Sequence, residues 1–337
     1  MSLFPLRTFA PLRPLREEFF WFSERDQSKN LSRQGRNGAL PAPPDGPSPA
    51  RLSRRKRILR IVLLVAAGAF VLAIPLGLYG WHEAQDLRVR RFSLPCPNLP
   101  PAFDGYRIVF ASDFHVRNRR PVHRKALDTF ARLEGDILVL GGDYQYLRSW
   151  NPAGGMAFLD DLGRLAGRYP DGIVAVRGNH DRDRMRAFLQ RHPTIRYISG
   201  GAHVVTRGGA SIAFAGIYRS AGLAPRRMAL EVQRAAAAIP DAAAFRILVS
   251  HWPDFFPLAK GRFDLMLAGD THGGQIRLPW IGAPFKKTKL AQHYAWGLVD
   301  EGGTMLYTTS GVGAQLPLRI NCPPEIVVLE LKSGAGW

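Results

Sequence analysis

Five apolar runs of β type, each ending in a short motif of acid, histidine or asparagine, constrain this chain more than any other feature. Tyr106 to Ala111 leads into Ser112-Asp113-Phe114-His115, and Asp136 to Leu140 leads into Gly141-Gly142-Asp143-Tyr144. Ile173 to Val176 precedes Gly178-Asn179-His180-Asp181, Phe245 to Val249 precedes Ser250-His251-Trp252, and Phe263 to Ala268 precedes Gly269-Asp270-Thr271-His272-Gly273-Gly274. In layered α/β folds, side chains just beyond the C-terminal ends of strands converge on one crevice. Asp, His and Asn are the oxygen and nitrogen donors that divalent metals use. Repeated at five strand ends, they predict a metal site.

The rest of the pattern fixes a fold class. Helical candidates are Val122 to Leu133, Gly155 to Leu165, Arg182 to Arg191 and Arg226 to Ala238. Further strands are expected at Ala210 to Ala215, Thr304 to Thr309 and Ile326 to Leu331. The first part alternates βαβα, which indicates parallel pairing, and the later strands arrive with fewer helices, which indicates a second, mixed sheet. The expectation is an α/β protein: a four-layer α/β/β/α sandwich over residues 87–332, two sheets face to face, the crevice at one rim. A chain of 337 residues accommodates one such domain plus extra segments.

Those extra segments lie at the N-terminus. Residues 1–57 are rich in Arg, Pro, Ser and Gly and are expected to be disordered. Within them Phe19-Phe20-Trp21-Phe22, flanked by Arg16 and Arg25, reads either as an interfacial membrane contact or as a local cluster with no role. A transmembrane helix is expected at 58–81, because Ile61 to Trp81 holds 21 residues without a charge. As a helix it would extend roughly 31 Å, enough to cross a hydrocarbon core. Pro75 is a potential kink, and Tyr79 and Trp81 suit the far interface. Arg51, Arg54, Arg55, Lys56, Arg57 and Arg60 on the near side outnumber Arg88, Arg90 and Arg91 on the far side. That bias favours a cytoplasmic N-terminus, an inner-membrane anchor and an exported C-terminal domain. Ser53-Arg54-Arg55 partly matches a twin-arginine export signal, but no small-residue cleavage site follows the apolar run.

The formal net charge of +19 favours anionic partners: phosphorylated substrates, acidic lipid surfaces or nucleic acid. Nucleic acid is the weakest of these, since no zinc-finger spacing or RNA-binding signature is present. Cys96 and Cys322 are the only cysteines, too few for a disulfide scaffold. They read either as one bridge joining the ends of the domain or as two buried thiols.

Together the motifs D-x-H, G-D, G-N-H-D, H and G-x-x-H-G-G-Q resemble the calcineurin-like metallophosphoesterases. The run Gly269 to Gln275 is most similar to a membrane-linked branch, as are Leu316-Pro317-Leu318-Arg319 and Cys322-Pro323-Pro324-Glu325. The resemblance covers roughly Arg88 to Leu331. It implies two divalent ions (Mn, Mg, Fe or Zn), of the kind that lie about 3.5–4 Å apart in such enzymes. Asp143 would bridge them, Asp113, His115 and His272 would hold the first, and Asn179 and His251 the second. His180 would protonate the leaving oxygen or hold a phosphoryl oxygen. Asp270 stands where the family has a histidine ligand; as a shorter, harder ligand it would favour Mn²⁺ or Mg²⁺. Singly, each motif also has a plain reading: Asp113 or Asp143 as a helix cap, His251 as a core histidine, Gly178-Asn179 as a turn. Tyr146 replaces the last acid of G-D-x-x-D, so a partner for His180 is sought in Asp181.

Arg117, Arg119 and Arg120 follow His115 and are expected at the crevice rim; Lys286 and Lys287 are expected in a nearby loop. Pro279-Trp280-Ile281 and Pro284-Phe285 place apolar residues around those lysines, as an apolar slot for the tail of an amphiphilic phosphate would. Two functions follow. One is a membrane-anchored phosphoesterase acting on a phosphate ester or pyrophosphate, of a lipid-linked or nucleotide-lipid substrate. The branch includes enzymes that resemble UDP-2,3-diacylglucosamine pyrophosphohydrolases of lipid A biosynthesis. The other is an inactive metal-binding module that senses phosphorylated ligands at the membrane.

Overall fold

The computed structural model describes residues 49–147, 151–217, 224–285 and 287–334. The chain divides into two units, Met1–Val62 and Leu63–Trp337. The cluster at 19–22, and all of the expected disordered segment up to 48, lie outside the described residues. Helix α1 runs Pro49–Glu83, so positions 49–57 are helical rather than disordered. Arg and Lys lose little side-chain freedom in a helix, so the basic stretch continues the apolar one. Within α1, Lys56–Glu83 is long and apolar enough to cross a membrane; its most apolar 18 residues have a mean hydropathy of 2.7 and none is buried, while Gly80 and Glu83 at its end are.

In the second unit the order is β1 (Arg88–Cys96), β2 (Tyr106–Ala111), α2 (Pro121–Phe130), β3 (Ile137–Leu140), α3 (Ala153–Gly163), β4 (Ile173–Ala175), α4 (Asp183–Arg191), β5 (Ile195–Tyr197), β6 (Ala202–Arg207) and β7 (Ala210–Gly216). Then come α5 (Pro225–Ala237), β8 (Phe245–Val249), α6 (Phe256–Ala259), β9 (Leu265–Ala268), β10 (Gly297–Glu301), β11 (Thr304–Thr308) and β12 (Glu325–Ser333). They form two six-stranded sheets, ordered β1-β12-β2-β3-β4-β5 and β10-β11-β9-β8-β7-β6. In the first, only the β12–β2 pair is antiparallel; in the second, β10–β11 and β6–β7 are. Both antiparallel hairpins of the second sheet turn through Gly-Gly pairs at positive φ, Gly208-Gly209 and Gly302-Gly303, as tight two-residue turns demand.

Alternation explains why the interior strands read as continuous apolar runs. Ile108 and Phe110 of β2 join Ile137, Val139, Ile247 and Leu267 in a core shared by the two sheets. Val109 and Ala111, one position over, pack with α2, α3 and α4 through Val122, Phe158 and Met185. Leu248 and Met266 pack similarly against α5 and α6 through Val232 and Phe256. A strand buried on both faces has no polar side to show.

The strands that sequence pattern does not reveal are β1, β5, β6 and β10, which are the four sheet edges. Edge strands carry one half-solvated face and tolerate charges such as Arg88, Arg90 and Arg91, so their apolar signal is weak. Both cysteines are free, buried thiols. Cys96 closes β1, where burial pushes its thiol up to about 12, and Cys322 donates to the carbonyl of His272 at 3.3 Å.

Candidate metal centre

The loops after β2, β3, β4, β8 and β9 meet at one rim. Those after β2, β3 and β9 are strained: Asp113 (φ 57°), His115 (46°), Asp143 (57°), Asp270 (66°) and His272 (52°) all occupy left-handed backbone. Such geometry is uncommon for residues other than glycine and persists only where surrounding bonds enforce it. Here the loops brace one another. Asp113 N–H donates to Gly142 O at 2.9 Å, His115 N–H to Asp143 O at 2.9 Å, and Gly313 N–H to Asp113 O at 2.7 Å. Neither Asp113 nor Asp143 caps a helix; α2 is capped by Arg120 and α3 by Pro152.

The side chains form two groups whose donor atoms lie within 4.8 Å of one another: Asp113, His115 and His272; and Asp113, Asp143 and His251. Asp143 Oδ2 lies between them, 3.6 Å from His115 Nε2 and 3.2 Å from His251 Nε2. Its Oδ1 is occupied by the backbone N–H of His180 at 2.8 Å. Asp270 Oδ1 is 3.4 Å from His251 Nε2, so the shorter aspartate still reaches the second group. His180 Nε2 stands 3.9 Å from Asp143 Oδ2.

Lone pairs converge at this point. His115 Nδ1 faces the carbonyls of Tyr146 (3.1 Å) and Gln145 (3.3 Å), and His251 Nδ1 faces Gly141 O at 2.8 Å. Each Nδ1 therefore carries a hydrogen, and each Nε2 points inward. His115 Nε2 is 3.1 Å from His272 Nε2. The Asn179 amide lies 3.1 Å from both Asp270 Oδ1 and Asp143 Oδ2 and 3.0 Å from His251 Nε2. With its oxygen inward, a metal cation or a proton on His251 Nε2 satisfies that set; with its nitrogen inward, the amide itself is the donor.

The electrostatics agree. Burial pushes His115 down to about 4 and His272 well below its ordinary value, so both rings are neutral near pH 7. Burial raises Asp113 to about 7, against the pull of His251 and with the push of Asp143 and Asp270. Burial also opposes ionisation of Asp143, but His251 and His115 outweigh it and hold that carboxyl well below the usual range. Burial would lower His251, yet the Asp143 and Asp113 carboxylates raise it well above its ordinary value. In the protein alone, a proton on His251 supplies positive charge that a divalent ion would otherwise bring. The donors are oxygen and imidazole nitrogen without thiolate, a set that fits Mn²⁺, Mg²⁺, Fe²⁺ or Zn²⁺.

Four supporting residues have roles that the sequence does not disclose. Asp181 is not the partner of His180. It is fully buried and accepts N–H bonds from Asp143 (2.8 Å), Tyr144 (2.9 Å), Gln145 (3.2 Å) and Gly178 (2.8 Å), clamping two ligand loops together. Gly178 packs so tightly there that a methyl group would overlap the Asp143 carboxylate. The group beside His180 is Gln315, whose amide Nε2 is 2.9 Å from the ring Nε2. Arg319, also buried, donates to the carbonyls of Ser310 (2.8 Å), Gly311 (3.3 Å), Gly313 (2.7 Å) and Cys322 (3.1 Å), fixing the loop that braces Asp113. His123 accepts Arg120 N–H on Nδ1 at 3.1 Å and donates from Nε2 to Phe114 O at 2.8 Å, tying the start of α2 to the Asp113–His115 loop.

The residues expected at a basic rim take different partners. Arg117 and Arg120 both stack on the Tyr146 ring, 5.8 and 5.6 Å from its centroid, and Arg120 donates to Ala314 O at 2.9 Å. Arg119 pairs instead with Asp161 on α3. Lys286 lies outside the described residues. Burial lowers the proton affinity of His115, His180 and His272, and the charge of the exposed Lys287 adds to it. The apolar residues beside it do not line a slot: Trp280, Ile281 and Phe285 are exposed on a tight turn.

A family model for calcineurin-like phosphoesterases matches residues 106–274, the segment that carries every expected ligand. The chain belongs to the calcineurin-like phosphoesterase family. It is 31% identical over 256 residues to phosphodiesterase YaeI of Escherichia coli (strain K12), spanning 75% of this chain and 89% of that protein. It is 27% identical over 297 residues to the uncharacterized metallophosphoesterase YkuE of Bacillus subtilis (strain 168), spanning 84% of this chain and 99% of that one. This member of the family is a metal-dependent phosphoester hydrolase acting on a phosphorylated substrate.

Proposed function

We propose that this calcineurin-like phosphoesterase is a membrane-anchored, dinuclear enzyme that hydrolyses the phosphate ester or pyrophosphate of a lipid-linked or nucleotide-lipid substrate. The convergence of the Asn179, His251, Asp143 and Asp270 ligand atoms carries the dinuclear reading. Asp113, His115 and His272 would hold one divalent ion, Asn179, His251 and Asp270 the other, and Asp143 would be shared. When bound, such a pair supplies a nucleophile at neutral pH and neutralises phosphoryl oxygens. His180 protonates the leaving oxygen, oriented by Gln315. Lys287, with Arg117 and Arg120 beside Tyr146, supplies positive charge for the substrate anion.

The anchor reading rests on the bare apolar surface of Lys56–Glu83 and on its basic near flank. That flank favours an N-terminus in the cytoplasm and a catalytic domain, 87–332, on the far side of the inner membrane. Cleavage of UDP-2,3-diacylglucosamine would need cytoplasmic access to the nucleotide sugar, so the substrate class stays at amphiphilic phosphoesters.

The test is hydrolysis of bis-p-nitrophenyl phosphate and p-nitrophenyl phosphate by metal-stripped, detergent-solubilised protein, with Mn²⁺, Mg²⁺, Fe²⁺ or Zn²⁺ added back. Metal-dependent turnover lost in His180→Ala, with two ions bound per chain, is expected. One ion per chain at full activity would sink the dinuclear assignment.

A further inference from the structure

Just beyond His272, the chain enters a tight turn whose apolar side chains stand in solvent. Leu278 N–H donates to Gly282 O at 2.8 Å and Gly282 N–H returns to Leu278 O at 2.9 Å, while Ile281 N–H donates to Pro279 O at 2.7 Å. Trp280 sits at the tip with φ 63° and is 102% exposed. Phe285 is 80% exposed, Ile281 66% and Leu278 40%. In water this arrangement combines backbone strain on a bulky residue with an unburied aromatic cluster, and gains nothing for the fold.

The base of the turn is tied to the end of the apolar helix. Arg277 N–H donates to Ile320 O at 2.8 Å, and Ile320 N–H to Gln275 O at 2.9 Å. The Gln275 amide also donates to Leu316 O (3.1 Å) and Leu318 O (3.2 Å). Arg319 N–H in turn donates to Gly80 O, in the last turn of α1, at 2.9 Å. Leu316, in the same segment, is 62% exposed. Tyr79 and Trp81 flank Gly80 and are exposed, the side chains expected where a spanning helix meets the headgroups. Trp280 lies three positions beyond Arg277, at most about 10 Å of extended chain.

We propose that the Leu278–Phe285 turn is a second membrane contact: its tip enters the headgroup region of the same bilayer that α1 crosses, and seats the metal centre over the lipid surface. This rests on the anchor reading above. The occupant is a phospholipid interface, because the turn is bonded to the segment that receives the helix end and because its aromatic tip is followed by Lys287 and Lys289, both exposed. The consequence is a phosphoester presented from within the membrane plane, its head drawn into the site while its tail stays in lipid.

The test uses the full-length protein in nanodiscs of phosphatidylcholine and phosphatidylglycerol. Trp280→Cys and, separately, Leu72→Cys carry an environment-sensitive fluorophore; Cys96 and Cys322 are buried. Lipids with a spin label near the headgroup should quench the Trp280 label, and aqueous iodide should reach it several-fold less well than in detergent-free buffer with denatured protein. Quenching at Leu72 by acyl-chain spin labels, with Trp280 still fully open to iodide, overturns the turn insertion and leaves the anchor standing. No quenching at Leu72 removes the anchor reading and this inference with it. Trp280→Ser with Phe285→Ser should slow hydrolysis of a phosphoester embedded in the same nanodisc roughly tenfold while bis-p-nitrophenyl phosphate turnover is unchanged. Hydrolysis of both substrates by the variant at the wild-type rate would refute the lipid contact.

Discussion

The Gln315 amide reaches His180 Nε2 across 2.9 Å, joining the loop after β11 to the loop after β4. An amide can meet either state of the ring, its nitrogen donating to the neutral form and its oxygen accepting from the protonated one. Gln315 thus fixes where the imidazole points and leaves its charge free to change. Gln315→Leu should cut kcat about 10- to 100-fold with metal content unchanged. Gln315→Glu places an anion beside the ring and should move the His180-dependent limb of the pH–rate profile to higher pH. An unshifted limb would show that Gln315 does not touch the titrating group.

On the dinuclear reading, Asp270 is the residue on which retention of the second ion depends. Asp270→Ala should leave one ion per chain and lower activity by on the order of 100-fold or more. Asp270→His should keep both ions. Metal analysis beside steady-state kinetics checks this, and an alanine variant with unchanged metal content and rate would refute Asp270 as a ligand.

Arg319 is buried with four carbonyls as partners. Arg319→Met strands those acceptors and should destabilise the domain by at least about 3 kcal/mol. Loss of stability in denaturant melts should be accompanied by weaker metal binding, because the same loop braces Asp113.

His123 gives the stability a pH dependence. Burial holds its folded pKa down to about 4, against an ordinary value of 6.5. The unfolded chain therefore takes up a proton that the folded chain refuses, and stability is lost as pH falls from 6.5 toward 4. The full effect is about 3 kcal/mol. Denaturation midpoints of the wild type minus those of His123→Gln, compared at pH 7 and pH 5, should show it. A difference that does not vary with pH would refute the assignment.

The sequence by itself determined the interior of the fold and the order of the candidate ligands. Strands buried on both faces must be apolar throughout, and donors placed just after them must converge, so β2, β3, β4, β8 and β9 and their motifs are readable in one dimension. Only tertiary structure decided the edges, since β1, β5, β6 and β10 have a solvated side and carry no strict pattern. It also decided the supports. Gln315 reaches His180 across 135 positions, and Arg319 and Asp181 act through backbone carbonyls and N–H groups. Side chain to backbone bonds depend on where loops meet, and backbone atoms are the same at every residue, so no motif announces them. The same reason separates the apolar turn at Trp280 from the slot that composition implied: two backbone hydrogen bonds between Leu278 and Gly282 turn those side chains outward.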